Sequence, residues 1–121
     1  LHDMVDPVDY NAVVDNIDNE LKQAIQDWEN GKKYVSRKRV LMAITKHYDG
    51  GGLKGALAKS FSEKRSLGLE DKLDDIRKII SGIGAEAKSA TGDSLRKRAA
   101  FAVAQFRVNV KELEARLNPD P

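Results

Sequence analysis

Residues 7–30 read PVDYNAVVDNIDNELKQAIQDWEN, a run whose apolar side chains recur at steps of four and three. This spacing places them on one face of a helix. The stripe consists of Tyr10, Val14, Ile17, Leu21, Ala24 and Trp28. Asp6 and Pro7 indicate the helix start, because Asp accepts hydrogen bonds from free first-turn amides and Pro fits the first helical position. Gly31 is typical of a helix end. The pattern predicts a helix over residues 7–30, with Trp28 in the core.

The same rhythm predicts four further helices downstream. They span residues 36–48, 53–63, 69–90 and 93–118, with terminal tails at residues 1–5 and 119–121. Ser36 is the candidate cap of the second helix, and the run Gly50-Gly51-Gly52 is expected to break the backbone after it. Gly82 and Gly84 lie inside the fourth predicted helix, where they indicate a close helix approach or a local bend. Since the connections are short, the sequence predicts an all-α fold: a single-domain, four- or five-helix, mostly antiparallel bundle.

Composition agrees with this fold class and excludes several others. Among 121 residues, 40% are hydrophobic and 33% are charged, a balance expected of amphipathic helices with a wide polar face. The absence of cysteine excludes disulfides and thiolate chemistry. No apolar run approaches the roughly 20 residues that cross a bilayer, so we expect a soluble chain. The chain begins without methionine and ends in a linker-like run, residues 118–121, so we expect a processed chain or a piece of a longer one.

Charge is distributed unevenly along the chain. Residues 1–30 carry eight acidic groups and one lysine, a net charge of −7, whereas residues 31–65 carry ten basic and two acidic groups, a net charge of +8. Such asymmetry is more informative about binding partners than the total net charge of +2. A second basic cluster occupies residues 96–98. The candidate residues for binding a partner or nucleic acid are Lys32, Lys33, Tyr34, Arg37, Lys38, Arg39, Lys46, Tyr48, Lys54, Lys59, Arg96, Lys97 and Arg98.

Two interpretations of the basic residues stay open. Clustered lysines and arginines with interleaved aromatics are typical of a surface that contacts the phosphates of RNA or DNA. Alternatively, the basic segment lies against the acidic first helix and is neutralised by it, and this interpretation is preferred. Tyr34 or Tyr48 is the candidate aromatic anchor for a partner, because aromatics with polar tips suit partly exposed interfaces. Contact of residues 50–65 with a membrane surface is not expected.

No pattern of catalytic or metal-binding residues is recognisable. The two histidines, His2 and His47, are too few for a histidine-rich metal site, and the acidic residues near His2 match no loop that binds calcium or magnesium. The triple glycine lacks both the Gly-Lys-Ser/Thr order and the preceding strand of a phosphate-binding loop. The serines have no evident general base to activate them. We therefore expect neither an enzyme nor a bound cofactor or metal.

These observations predict a non-enzymatic helical-bundle module that binds another protein through an exposed helix face, while its charge asymmetry orients that partner. Self-association through the first or the last helix is a form of the same hypothesis. The alternative is a charge-driven RNA- or DNA-binding protein that uses residues 32–65 and 96–98. The two differ in salt dependence, because binding to phosphates falls steeply with salt and an apolar protein interface is less sensitive.

Overall fold

The computed structural model describes residues 8–118, and all of the regular structure in that range is helical. Five α-helices pack against one another, which confirms the predicted all-α bundle. Their bounds are α1 Tyr10–Glu29, α2 Lys33–Met42, α3 Leu53–Ser60, α4 Glu63–Ile80 and α5 Gly92–Leu117. A π-helical segment, Ala43–Asp49, continues α2, and a 3-10 helix, Ala85–Ser89, lies between α4 and α5.

Contacts between side chains show that α1 and α5 run antiparallel. Asn11, near the start of α1, donates a hydrogen bond to Glu114, near the end of α5, with 3.0 Å between Nδ2 and Oε2. At the opposite ends of the same two helices, Glu29 pairs with Arg96. The contacts between α4 and α5 follow the same reversed order. Both α1 and α4 therefore run antiparallel to α5, as expected of a mostly antiparallel bundle.

Helix α1 begins two to three residues later than predicted. Its N-cap is Asp9, whose carboxylate accepts a hydrogen bond from the Ala12 amide at 3.1 Å. The predicted start at Asp6-Pro7 lies outside the described residues, as do the tails predicted at residues 1–5 and 119–121. The helix ends at Glu29, and Gly31 follows with a φ of +78°, as expected of a left-handed terminator.

The predicted cap of the second helix is wrong. Helix α2 begins at Lys33, and Ser36 is buried within it. The Ser36 hydroxyl donates a 2.6 Å hydrogen bond to the carbonyl oxygen of Ala24 in α1. A capping hydroxyl has to face the free amides at the start of its own helix. The Ser36 hydroxyl instead joins α2 to α1 across their interface, so it stabilises packing rather than a helix end.

The bounds predicted for the fourth helix, residues 69–90, are wrong at both ends. The helix begins and ends earlier in the chain than its apolar period indicates. Helix α4 starts at Glu63 instead of residue 69, because the Ser62 hydroxyl caps it by accepting a 3.0 Å hydrogen bond from the Arg65 amide. It ends at Ile80, since Gly82 and Gly84 adopt φ values of +78° and +94° that terminate a right-handed helix. The two glycines are therefore not a bend inside the helix. Ile83, which lies within the predicted span of residues 69–90, is 54% exposed.

The remaining two helices differ less from the prediction. Helix α3 ends at Ser60 instead of residue 63, and the Arg116 guanidinium satisfies the Ser60 carbonyl oxygen at 2.6 Å. Helix α5 begins at Gly92 after a reciprocal capping box between Thr91 and Ser94. The backbone carbonyl and amide groups at these ends are thus satisfied by side chains from the same or a neighbouring helix.

The triple glycine forms the closely packed end of the π-helical segment. The Gly50 amide donates to the Thr45 carbonyl oxygen at 2.9 Å, the five-residue spacing that defines a π-turn. A β-carbon on Gly51 would overlap the His47 carbonyl oxygen and would lie 3.0 Å from a methyl group of Val13. Gly52 adopts a φ of +88°, which favours glycine. Each glycine has a structural reason, and together they reverse the chain in minimal space.

The core is centred on an aromatic pair, Tyr48 and Phe106, which are both fully buried. Their rings meet edge to face, with centroids 5.0 Å apart and planes at 77°. The Tyr48 hydroxyl donates a 2.8 Å hydrogen bond to the Ser66 carbonyl oxygen, and the Ser66 hydroxyl donates at 2.9 Å to the carbonyl oxygen of Lys54. The π-helical segment, α3, α4 and α5 are thus joined at one buried point.

Burial raises the pKa of Tyr48 to about 12. In the unfolded chain the same phenol ionises near its ordinary value of about 10. The contribution of neutral Tyr48 to stability is therefore complete below pH 10 and is lost as pH rises from about 10 through about 12. We expect the absorbance at 295 nm to keep rising near pH 12 in the folded protein, and Tyr48→Phe to remove that step. An unchanged step in the Tyr48→Phe protein would contradict the assignment.

Candidate binding surface on helix α2

The structure removes Tyr48 from the predicted binding residues. Its side chain is 0% exposed, so the prediction that it is an aromatic anchor for a partner is wrong. The polar tip that suggested a partly exposed position instead finds its hydrogen-bond acceptor inside the core, at Ser66. Satisfaction of the hydroxyl within the core is what permits complete burial of a tyrosine.

Arg39 joins α2 to α1. Its Nε atom lies 2.7 Å from a carboxylate oxygen of Asp27, and its Nη1 atom lies 3.4 Å from Glu20. The hydrogen bond that Arg39 donates to Asp27, with a further contribution from Glu20, raises the pKa of Arg39. Glu20 also lies 3.3 Å from Nε2 of His47. The contacts of Arg39 agree with the preferred interpretation, in which acidic residues of the first helix neutralise the basic segment. These contacts lie within the bundle.

Each of three further predicted residues pairs with at least one carboxylate on another element. The Lys54 ammonium lies 2.8 Å from Glu70, and this hydrogen bond raises the pKa of Lys54. Arg96 pairs with both Glu29 and Asp93, and Arg98 pairs with Glu86. Neighbouring positions on a helix point in different directions, so the cluster at residues 96–98 is divided among separate partners. It does not form one basic patch.

Seven predicted residues form no ion pair with a carboxylate within residues 8–118. Neutralisation by acidic α1 therefore explains Arg39 but not most of the basic segment. Four of the seven lie together in the first half of α2 or immediately before it, whereas the π-helical segment, α3 and α5 carry one each. The seven are Lys32, Lys33, Arg37, Lys38, Lys46, Lys59 and Lys97.

We define the α2 basic face as the cations at the start of this helix that pair with no carboxylate in the described part of the chain, together with the tyrosine between them. The tyrosine side chain is 69% exposed, and the Arg37 guanidinium lies 5.8 Å from its ring centroid. At this distance the cation is attracted to the ring face. The members of the α2 basic face are Lys32, Lys33, Tyr34, Arg37 and Lys38.

Apolar surface adjoins these charges. Leu41 is 44% exposed and stands seven residues after Tyr34, with Lys38 between them at a step of four. Residues at these spacings share one side of a helix. Val35, on a different side of α2, is 40% exposed. The α2 basic face is therefore a mixed surface that offers cations, an aromatic ring and an aliphatic side chain to the same partner.

The start of α2 accumulates positive charge without local compensation. Lys32 occupies the N-cap position, no side chain caps the first turn, and no acidic residue lies in that turn. The N-terminus of a helix carries a partial positive charge of its own, so lysines there are placed where an acidic residue would stabilise the helix. The arrangement is costly to the isolated bundle and favourable to a bound anionic group.

The other predicted residues do not belong to this surface. Lys46 is exposed on the π-helical segment, and Lys59 is exposed on α3, where it lines an open recess with Tyr10 and Arg116. Lys97 is exposed on α5. Five of the thirteen candidate residues thus lie together, as the α2 basic face.

Sequence reasoning missed a second exposed stripe, on α5. Phe101 is 58% exposed and Val108 is 51% exposed, and Ala104 between them is exposed as well. The signal was present as a second run of residues at alternating steps of four and three, which is masked by the stronger stripe that faces the core. The run consists of Lys97, Phe101, Ala104, Val108, Lys111 and Ala115.

Comparison with known proteins gives no relative: no family model, no curated protein and no solved structure matches this chain. Within residues 8–118, no group of three His, Cys, Asp or Glu side chains is placed to hold a metal ion. No helix in the same range is long and apolar enough to cross a membrane. The candidate site therefore has to be judged by its own chemistry.

Proposed function

We propose that this chain is a non-enzymatic helical-bundle module that binds an acidic segment of a partner protein through the α2 basic face. The observation that carries the proposal is the set of four cations around exposed Tyr34 that have no carboxylate partner within residues 8–118. Lysines and arginines in this position repel one another in the free protein. A partner that brings carboxylates removes this repulsion and gains attraction, which favours both encounter and orientation.

The mixed character of the surface favours a protein partner. Tyrosine and arginine are enriched among the residues that contribute most to protein interfaces, and Tyr34 and Arg37 lie side by side here. Leu41 adds exposed aliphatic area on the same side of the helix. The complementary ligand is an acidic segment with at least one apolar side chain: its carboxylates face the lysines and its apolar group contacts Tyr34 and Leu41.

Binding of RNA or DNA is the second candidate function, and the same four cations favour it. Lysine and arginine bind phosphates and release counterions, and an exposed tyrosine stacks on an unpaired base. With about four phosphate contacts, the logarithm of the binding constant would fall by about 3 to 4 for each tenfold increase in salt concentration. Such a slope separates this candidate from an interface to which Tyr34 and Leu41 contribute apolar contacts.

The proposal is tested by fluorescence-anisotropy titration with four labelled probes. Each probe is titrated at 50 and 200 mM NaCl, about a fourfold difference in salt concentration. The probes are polyglutamate, a peptide of equal charge in which leucine and tryptophan alternate with glutamate, a single-stranded oligonucleotide and a double-stranded one. We expect the peptide with apolar residues to bind most tightly. Tighter binding of an oligonucleotide would establish the second candidate instead, and no binding of any probe would overturn both.

The double variant Lys33→Glu/Lys38→Glu is expected to weaken binding of the apolar-acidic peptide by about tenfold or more, because it replaces two attractive pairs with repulsive ones. Tyr34→Ala should weaken the same peptide by a similar factor and polyglutamate much less. The control is Lys64→Glu/Lys88→Glu, which makes the same change in net charge at two exposed lysines outside the α2 basic face. Equal losses in the two double variants would mean that only net charge matters.

A further inference from the structure

Helix α5 presents an apolar seam on the side opposite the core. Its buried side chains include Leu95, Ala102 and Phe106, whereas the seam positions 101, 104 and 108 point away from them and are exposed. A surface helix of a monomeric bundle normally has one apolar stripe. Two stripes on opposite faces mean that α5 has apolar surface for the core and for something outside it.

The outer seam has the spacing of a coiled-coil interface. We define the α5 seam as Lys97, Phe101, Ala104, Val108, Lys111 and Ala115, which follow one another at steps of 4, 3, 4, 3 and 4 residues. In heptad notation Phe101, Val108 and Ala115 take one seam position, and two lysines with Ala104 take the other. At 1.5 Å per residue the seam is about 27 Å long, enough to lie along five turns of a second helix.

A recess beside the seam gives room for that second helix. It lies between α4 and α5, has a volume of about 360 Å³ and is lined by residues that include Gly68, Gln105 and Val108. A β-carbon built on Gly68 would have no atom within 4 Å, so this position leaves open space next to the seam. Small residues at an interface allow a helix to approach closely, and Ala104 has the same effect within the seam.

The charges around the seam identify the kind of partner. The ammonium group of Lys72, on α4, lies 5.3 Å from the centroid of the Phe101 ring. Lys97 and Lys111 belong to the seam itself. None of the three lysines forms an ion pair with a carboxylate within residues 8–118. The carboxylate on the rim of the recess, Glu112, is already paired with Arg65 at 2.8 Å. The surroundings of the apolar seam are therefore positive.

The same lysines disfavour pairing with a second copy of this chain in two registers. Parallel pairing in register places Lys97 opposite Lys97 and Lys111 opposite Lys111. Antiparallel pairing about Ala104 places Lys97 opposite Lys111 at both ends. Like charges in a helix interface destabilise it and specify against that pairing. A helix with carboxylates opposite these positions suffers no such repulsion.

We propose that the α5 seam and the adjoining α4–α5 recess bind an amphipathic helix of a partner protein, with apolar residues facing Phe101 and Val108 and with Glu or Asp facing Lys72, Lys97 and Lys111. This mode of recognition lays the apolar face of one helix into a groove between two others. It is independent of the α2 basic face, so one of the two surfaces can bind while the other does not.

The test uses two labelled 21-residue helical peptides. The acidic peptide has leucine at one of the two seam positions of each heptad, and glutamate at the other seam position and at the positions that flank the seam. The basic peptide has lysine in place of each glutamate. We expect the acidic peptide to bind the wild-type chain and the basic peptide not to. The charge-reversed variant Lys97→Glu/Lys111→Glu should lose at least about tenfold in affinity for the acidic peptide and gain affinity for the basic one.

Two further variants locate the binding site. Gly68→Gln, which fills the recess without changing the charge, and Phe101→Ala, which removes the largest seam contact, should each weaken the acidic peptide by about tenfold. Lys33→Glu/Lys38→Glu should leave this peptide unaffected, which separates a failure here from a failure of the α2 basic face. Far-UV circular dichroism of each variant establishes that it is folded.

Several results would overturn the proposal. One is equal binding of the acidic and basic peptides, and another is retention of binding by all of the seam variants. A third is a wild-type dimer, measured by light scattering, that Phe101→Ala dissociates, because the seam would then be occupied by a second copy. The charge-reversed variant should prefer the basic peptide, whereas the wild-type chain prefers the acidic one. A non-specific attraction to polyanions would not produce this exchange of preference.

Discussion

Replacing Tyr48 with alanine is expected to lower the free energy of unfolding by about 3 to 5 kcal/mol. Tyr48 is fully buried, it contacts Phe106 edge to face at 5.0 Å, and its hydroxyl donates to the Ser66 carbonyl oxygen. Truncation leaves a cavity at the point where the π-helical segment, α4 and α5 meet. The cost combines lost apolar burial, lost contact between the two rings and a lost buried hydrogen bond.

Urea unfolding followed by far-UV circular dichroism measures this change. The matched control is Tyr34→Ala, which truncates the same residue type at a site that is 69% exposed, and it should change stability by no more than about 0.5 kcal/mol. Tyr48→Phe retains the ring contact and should cost about 1 to 3 kcal/mol less than the alanine variant. A loss below about 1 kcal/mol for Tyr48→Ala would mean that the aromatic pair does not organise the core.

Replacing Gly51 with alanine is expected to destabilise the bundle by about 2 to 3 kcal/mol, although only one methyl group is added. The new β-carbon would overlap the carbonyl oxygen of His47 and would press on Val13, and neither the π-turn backbone nor the core side chain can move freely. Relief of the overlap requires the chain reversal at the end of the π-helical segment to open. The strain therefore spreads to the contact between this segment and α1.

The same substitution at Gly55 provides the control. Gly55 lies within α3, and a β-carbon there would meet no atom within 4 Å. Alanine has a helix propensity about 1 kcal/mol better than that of glycine, so Gly55→Ala should stabilise the protein. The two variants are chemically identical and are expected to have opposite signs in the same urea titration. Destabilisation by both would indicate that the steric argument at Gly51 is wrong.

The periodicity of apolar residues predicted that the helices exist and roughly where they lie, but it did not predict where they begin and end. The four-three rhythm of α1 and α5 reports burial directly, because both helices pack on the core along most of their length. In α4 the rhythm continued to Ile83 although the helix had stopped at Ile80. Periodicity records spacing alone, whereas the left-handed Gly82 ends the helix through its backbone conformation.

The candidate site, too, could be predicted from the sequence only in part. The positive charge of residues 31–65 is visible in the sequence. Which of those cations are neutralised depends on the side chains that the fold brings beside them. Arg39 and Lys54 meet carboxylates distant in the chain, whereas Lys33 and Lys38 meet none among residues 8–118. Ion pairs form between residues far apart in sequence, and no local pattern records them.

The all-α bundle and its polarised charge follow from the amino-acid sequence, because amphipathic period and charge order are properties of the chain alone. The burial of Tyr48, the exposure of Tyr34 and the exposure of the outer seam of α5 emerge only when the helices pack. Exposure depends on which face each helix turns toward its neighbours. That choice is made by packing of the whole bundle, so residues of the same type at similar spacing come to have opposite roles.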